Sequence, residues 1–181
     1  MDTLTFPLSN RLMVLTAPHA AGALMLELSA RLSAVGELCV LDGGNRFNVY
    51  PVARAVRRYT SDLTGALARI RLARAFTCYQ MAALLAETPA DGMPVLVIDL
   101  LAAFYDDNIR LSESQRLLAG CVFHLRRLSQ LAPVVVSAKM PAPLCVEKGV
   151  LVDALQAAAD GYWQLEALPA PKTLTLWGEE A

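Results

Sequence analysis

The 181-residue chain has little charge and almost no histidine: 18% of its residues are charged, 16 basic residues face 17 acidic ones, and there are 2 histidines. A formal net charge of -1 excludes a global attraction to nucleic acid or to an anionic membrane, so any such binding is local. Cysteine is sparse too. Cys39, Cys78, Cys121 and Cys145 form no C-x-x-C pair and no Cys/His cluster of zinc spacing, and they read as reduced, buried thiols of a cytosolic protein. His124 follows Cys121 by one helical turn, but two ligands do not make a metal site, so none is expected. No G-x-S-x-G elbow and no local cysteine-nucleophile signature is present. No apolar run approaches the roughly 18 residues of a membrane span, and Met1-Asp2-Thr3 lacks the basic start of a signal peptide. The expectation is a soluble, cytoplasmic protein with no membrane partner.

What is abundant is apolar material, 55% of the chain, enough for one well-filled core. Short apolar runs bounded by turn residues alternate with helical periodicity, which predicts an α/β fold with a mostly parallel central sheet and helices on both faces. The predicted strands are 12–16, 38–42, 70–74, 95–100, 134–138, 162–166 and 173–177. Ala21, Leu24, Met25, Leu28 and Leu32 make one helical stripe, and Leu117, Leu118, Cys121, Val122, Leu125 and Leu128 another. Further helices are predicted over 51–59, 78–87 and 147–159, with proline-rich loops at 141–143 and 169–171. No repeat or second domain is visible, so residues 1–181 are read as a single domain.

The segment from Leu12 to Leu24 has the form of a strand, a loop and a helix start, which is where a phosphate loop would lie. A working loop reads G-x-x-x-x-G-K-[ST], its amides and lysine binding phosphates and its hydroxyl holding Mg²⁺. Aligned on Gly22, this chain has Ala17 at the first glycine, Ala23 at the lysine and Leu24 at the hydroxyl position. Further along come Val40-Leu41-Asp42-Gly43-Gly44-Asn45-Arg46-Phe47, Ala73-Arg74-Ala75-Phe76-Thr77, Val95-Leu96-Val97-Ile98-Asp99, and the helix start Arg110-Leu111-Ser112-Glu113-Ser114-Gln115. In this order and spacing the blocks resemble the RecA/RadA recombinase ATPase core, in particular its recombinase paralogues. The resemblance covers roughly residues 11 to 138.

The resemblance implies a P-loop-derived fold whose catalytic groups are gone. Gly44 stands where the family carries the carboxylate that activates water, so no catalytic residue is assigned and ATP is not an expected cofactor. Gly22 and Asp99 remain as vestigial cofactor-binding positions, Asp99 either touching residual metal or nucleotide or simply bonding at a strand end. His19, in the same loop, is a poor lysine substitute at neutral pH because an ordinary imidazole titrates near 6.5. Positive charge is concentrated in Arg54, Arg57, Arg58, Arg69, Arg71 and Arg74, opposed by Asp62. Arg54, Arg57 and Arg58 are the candidate DNA-binding residues, against the alternative of a solvated helix face with ordinary salt bridges. Residues 139–149 suit a partner-binding loop, a DNA-binding loop or a plain connector.

The implied function is that of a non-hydrolysing accessory or scaffold in DNA repair or recombination. Its partners would be another protein, for which a RecA-family ATPase is a candidate, and DNA, within a homo- or hetero-oligomer. The alternative is an atypical nucleotide-binding ATPase completed by a neighbouring subunit, with Asn45, Arg46 and Asp99 as its first candidate residues. A third is a regulatory scaffold unrelated to DNA.

Overall fold

A computed structural model describes residues 11–166. Six parallel strands form one sheet in the order β3-β2-β4-β5-β1-β6. They are β1 (Leu12–Thr16), β2 (Leu38–Asp42), β3 (Ile70–Arg74), β4 (Val95–Ile98), β5 (Val134–Ala138) and β6 (Gly161–Gln164). The helices are α1 (Gly22–Val35), α2 (Val49–Val56), α3 (Leu63–Ala68), α4 (Cys78–Glu87), α5 (Leu111–Ser129) and α6 (Gly149–Ala158). Strands β1, β2, β4 and β5 are buried along their whole length, which is why they read in sequence as continuous apolar runs rather than alternating ones.

The pleat sends alternate residues to opposite faces. Leu12, Val14, Leu41, Val97 and Val136 pack with Met81 and Leu85 of α4, Leu118 and Leu125 of α5, and Leu151 and Leu155 of α6. Met13, Leu15, Val40, Leu96 and Val135 pack with Met25 and Leu28 of α1, Val52 and Val56 of α2, and Ala66 of α3. Both layers hold fully enclosed side chains such as Leu125 and Val40, whose large-to-small truncation costs about 2–5 kcal/mol for a leucine.

Local chemistry sets the helix starts. Asn48 caps α2 by accepting from the Tyr50 N–H, Asp62 caps α3 through Gly65, and Thr77 caps α4 through Gln80. The Gln80 side chain in turn accepts from the Phe76 N–H, closing the α4 entrance reciprocally.

Several boundaries differ from the sequence reading. β4 stops at Ile98, and Asp99 turns into the left-handed region at φ 53°. Leu100 and Leu101 are buried in the loop, so their apolar character reflects packing, not strand. α2 begins two residues before Pro51, which lies in its first turn, and α3 is a short helix that no periodic stripe announces. α6 begins at Gly149 because Pro143–Lys148 forms a 3₁₀ turn of its own, and β6 covers Gly161–Gln164, not 162–166. The predicted strand 173–177 and loop 169–171 lie outside the described residues.

Connections from the sheet's carboxyl edge leave in two directions. The chain after β1 enters α1 on one face, while the chain after the adjacent β5 enters α6 on the other. Neighbouring strands whose connections diverge open a crevice at their carboxyl ends, the usual ligand position in open α/β sheets.

Candidate functional site

The carboxyl edge gathers most of the residues singled out by sequence. At β1 the chain makes a 3₁₀ turn over Pro18–Ala21, with His19, Ala20 and Ala21 all left-handed at φ 53°, 52° and 51°. For residues bearing a β-carbon, this conformation costs about 1–2 kcal/mol each. The turn is bonded within itself: Ala20 N–H donates to the Ala17 carbonyl, Gly22 N–H to the His19 carbonyl, and Ala17 N–H to the Ala138 carbonyl of β5. Pro18 has no N–H. Those amides are committed, Ala20 is fully buried, and the helix opens with Ala23 and Leu24. The residues present therefore do not fit a triphosphate cradled by this loop. Gly22 itself has helical φ, and a β-carbon there would meet nothing within 4 Å.

Beside the turn, the crevice between the ends of β1, β5 and β6 has a volume of about 490 Å³, with His19, Lys139, Gln164 and Glu166 among its walls. Polar groups of both signs share it with Pro18, Met140 and Leu165.

At β2 the run Asp42 to Phe47 is a structural knot. The buried Asp42 carboxylate accepts from the Arg46 and Phe47 N–H groups, each at 2.9 Å, and pairs with Arg74 Nε at 3.3 Å. Arg74 also donates to the Phe47 carbonyl at 2.9 Å. Two of the blocks behind the family resemblance thus meet in one turn.

Asp99 stands behind that turn. Its N–H donates to Ser137 Oγ at 3.1 Å, but neither buried carboxylate oxygen finds a hydrogen bond among the described residues. Arg46 Nε stands 3.5 Å from Oδ2. Burial raises the Asp99 pKa above the usual carboxylate range, and the charges of Lys139 and Arg46 pull it partly back. A β-carbon on Gly44 would lie 2.6 Å from Asp99 Oδ2, and one on Gly43 would lie 2.8 Å from the Asp99 carbonyl oxygen. Gly44 makes room for this carboxylate and Gly43 for the Asp99 backbone and the end of Met81, and a β-carbon at position 44 would also crowd the Asp99 β-carbon. Asn45, also left-handed at φ 52°, is exposed at the mouth of a separate small cavity of about 240 Å³ with Phe76, Ala102 and Ala103.

The loops after β4 and β5 are tied together. Lys148 is only 4% exposed, and its ammonium donates to the carbonyls of Phe104 at 3.3 Å and Asp106 at 2.6 Å. Tyr105 donates its hydroxyl to the Lys139 carbonyl at 2.8 Å. Within residues 139–149, Pro143–Lys148 is thus a 3₁₀ segment clamped to the loop after β4.

The cysteines offer no activated thiol. Cys39 and Cys121 are buried and their pKa values are pushed up to about 11 and about 12 by desolvation. His124 stacks edge-on against Phe123, with ring centroids 5.2 Å apart, and no group of three metal-ligating side chains occurs among the described residues.

The six arginines, a single cluster in sequence, fall into two sets. Arg69, Arg71 and Arg74 pair with Asp62, Glu37 and Asp42, and Arg69 also donates to the Ser33 carbonyl at the end of α1. They hold the fold's edge together. Arg54 on α2 and Arg57 at its C-cap are exposed with no carboxylate in ion-pair range among the described residues, and Arg58 pairs with Glu27 of α1. Sequence reading missed Glu27 because the contact joins residues 31 apart.

No family model matches the chain, and no curated protein matches it. Among the described residues no helix is long and apolar enough to cross a membrane.

Proposed function

We propose that the chain is a catalytically degenerate RecA-like domain, a non-hydrolysing accessory or scaffold protein of the cytoplasm that acts in DNA repair or recombination by binding a partner protein and DNA. The observation that carries this reading is the self-bonded turn after β1: the amides of Ala17, Ala20 and Gly22 already have acceptors inside the protein. Phosphoryl transfer rests on positioning and electrostatic stabilisation of the phosphates, which such a turn, followed by Ala23 and Leu24, does not supply. The closed position 44 supports the same reading, since a water-activating carboxylate there would collide with Asp99. What remains is a rigid α/β body with clamped loops, suited to presenting surfaces.

The test is an assay of purified protein with Mg²⁺ and ATP or GTP, alone and with single-stranded DNA. The expected result is no turnover above the protein-free control. Turnover that survives repurification and disappears in Asp99→Ala would overturn the proposal in favour of a subunit-completed ATPase. Capture of a RecA-family ATPase, repeated with nuclease, then separates direct protein binding from association through DNA.

A further inference from the structure

We infer that the exposed face formed by α2 and the adjoining turn of α1 is a docking surface for single-stranded nucleic acid, restrained by Glu27. The inference deepens the scaffold reading and rests on it only for the choice of nucleic acid as the polyanion. Along α2, Tyr50, Arg54 and Arg57 follow at i, i+4 and i+7, and so share one side of the helix. Tyr50 is 78% exposed, an aromatic ring standing in water at the head of two arginines that have no carboxylate in ion-pair range among the described residues. Arg58 adds a third guanidinium on the same helix end. Arg31, exposed one turn after Glu27 on α1, contributes a fourth charge to the field around Tyr59. Tyr59, adjacent to Arg57 and Arg58 in sequence, is the other ring of this stretch.

Tyr59 is already committed within the protein. Its hydroxyl donates to Glu27, the same carboxylate that takes Arg58. Glu27 is the only acid in the sequences of α1 and α2, and it occupies an arginine that a phosphate would use. The pairing of guanidinium groups that have no carboxylate in ion-pair range among the described residues with a protruding ring favours a single strand over a duplex. Guanidiniums meet phosphates on any nucleic acid, and a ring such as Tyr50 adds stacking on an unstacked base that a paired duplex keeps to itself.

The experiment is fluorescence anisotropy of the full chain with labelled oligothymidylate over a salt series, beside a blunt duplex of equal length and phosphatidylserine vesicles. Oligothymidylate is expected to bind more tightly than either. Arg54→Ala and Arg57→Ala each weaken it and lower the log–log salt slope by about 0.7, one single-strand phosphate contact apiece. Tyr50→Ala weakens binding on the order of tenfold and leaves the salt slope alone. Glu27→Gln tightens binding severalfold, a gain that impaired folding cannot mimic, while Arg71→Ala on the edge strand changes nothing. The inference is overturned if oligothymidylate does not bind, if duplex or vesicles bind as tightly with Tyr50→Ala neutral, or if Glu27→Gln weakens binding. Any of these, with turnover still absent and partner capture surviving nuclease, leaves the scaffold reading intact.

Discussion

Gly44 and Asp99 occupy one space: the carboxylate oxygen Oδ2 lies 2.6 Å from where a β-carbon on residue 44 would stand, and the Asp99 β-carbon lies 2.7 Å from it. Both neighbours are held by backbone, Asp99 by its bond to Ser137 and the following turn. Gly44→Ala is therefore expected to behave as overpacking and cost about 1–3 kcal/mol in urea unfolding. The cost should shrink in an Asp99→Gly background, which removes the obstacle and also accepts the left-handed backbone. Additive losses in the double variant would show that the two residues do not compete.

Asp99 also governs a pH dependence. Its folded-state pKa is raised, so the folded protein binds a proton more readily than the unfolded chain does. The group is therefore most favourable at acid pH, and its contribution is lost as pH rises through the folded-state pKa. Asp99→Asn, which keeps a residue tolerant of φ 53°, is expected to be more stable than the wild type at neutral and alkaline pH. The gap should close on acidification. A wild type more stable than Asp99→Asn at pH about 8 would mean that Arg46 and Lys139 outweigh the burial.

Much of the fold was legible because the sheet is buried on both faces. Leu12–Thr16, Leu38–Asp42 and Val134–Ala138 are bounded in sequence as they are in space, since apolar runs end where the carboxyl edge meets polar turns, and the half-exposed edge strand Ile70–Arg74 has its expected bounds without that burial. Leu63–Ala68 was not legible, because a six-residue helix containing Gly65 is too short to show a period. At the site, alignment of the phosphate-loop pattern on Gly22 made legible that Ala23 and Leu24 stand at its lysine and hydroxyl positions. Whether a residue such as Arg69 is committed or Arg57 free depends on carboxylates brought near by folding, and no local pattern carries that information.

The left-handed turn at His19 to Ala21 stores strain that a glycine would release. His19 is exposed, so His19→Gly loses no buried contact. Relief of about 1–2 kcal/mol exceeds the roughly 0.5–1 kcal/mol of added unfolded-state entropy. A net gain of about 0.5–1 kcal/mol is expected, read as a higher urea midpoint with an unchanged slope. A loss would indicate that the imidazole makes a stabilising contact of its own.

Lys148 and the Asp106 carbonyl make the remaining testable pair. The ammonium is buried and its 2.6 Å bond ties the segment after β5 to the loop after β4. Lys148→Met keeps most of the alkyl stem and removes the charged donor, a loss of about 1.5–3 kcal/mol for a hydrogen bond made by a charged group. The Phe104 carbonyl still has Ser114 Oγ at 3.3 Å and the Asp106 carbonyl still has the Ile109 N–H at 3.1 Å, so the loss is that of the tie between the two segments. Amide hydrogen exchange over Ala102–Asn108 is expected to accelerate in Lys148→Met, with Leu12–Thr16 unchanged. Tyr105→Phe, which removes the bond to the Lys139 carbonyl, should accelerate the same segment from its other side. Unaltered exchange in both variants would mean that apolar packing around Phe104 holds the two loops, and that neither polar clamp fixes the surface they present.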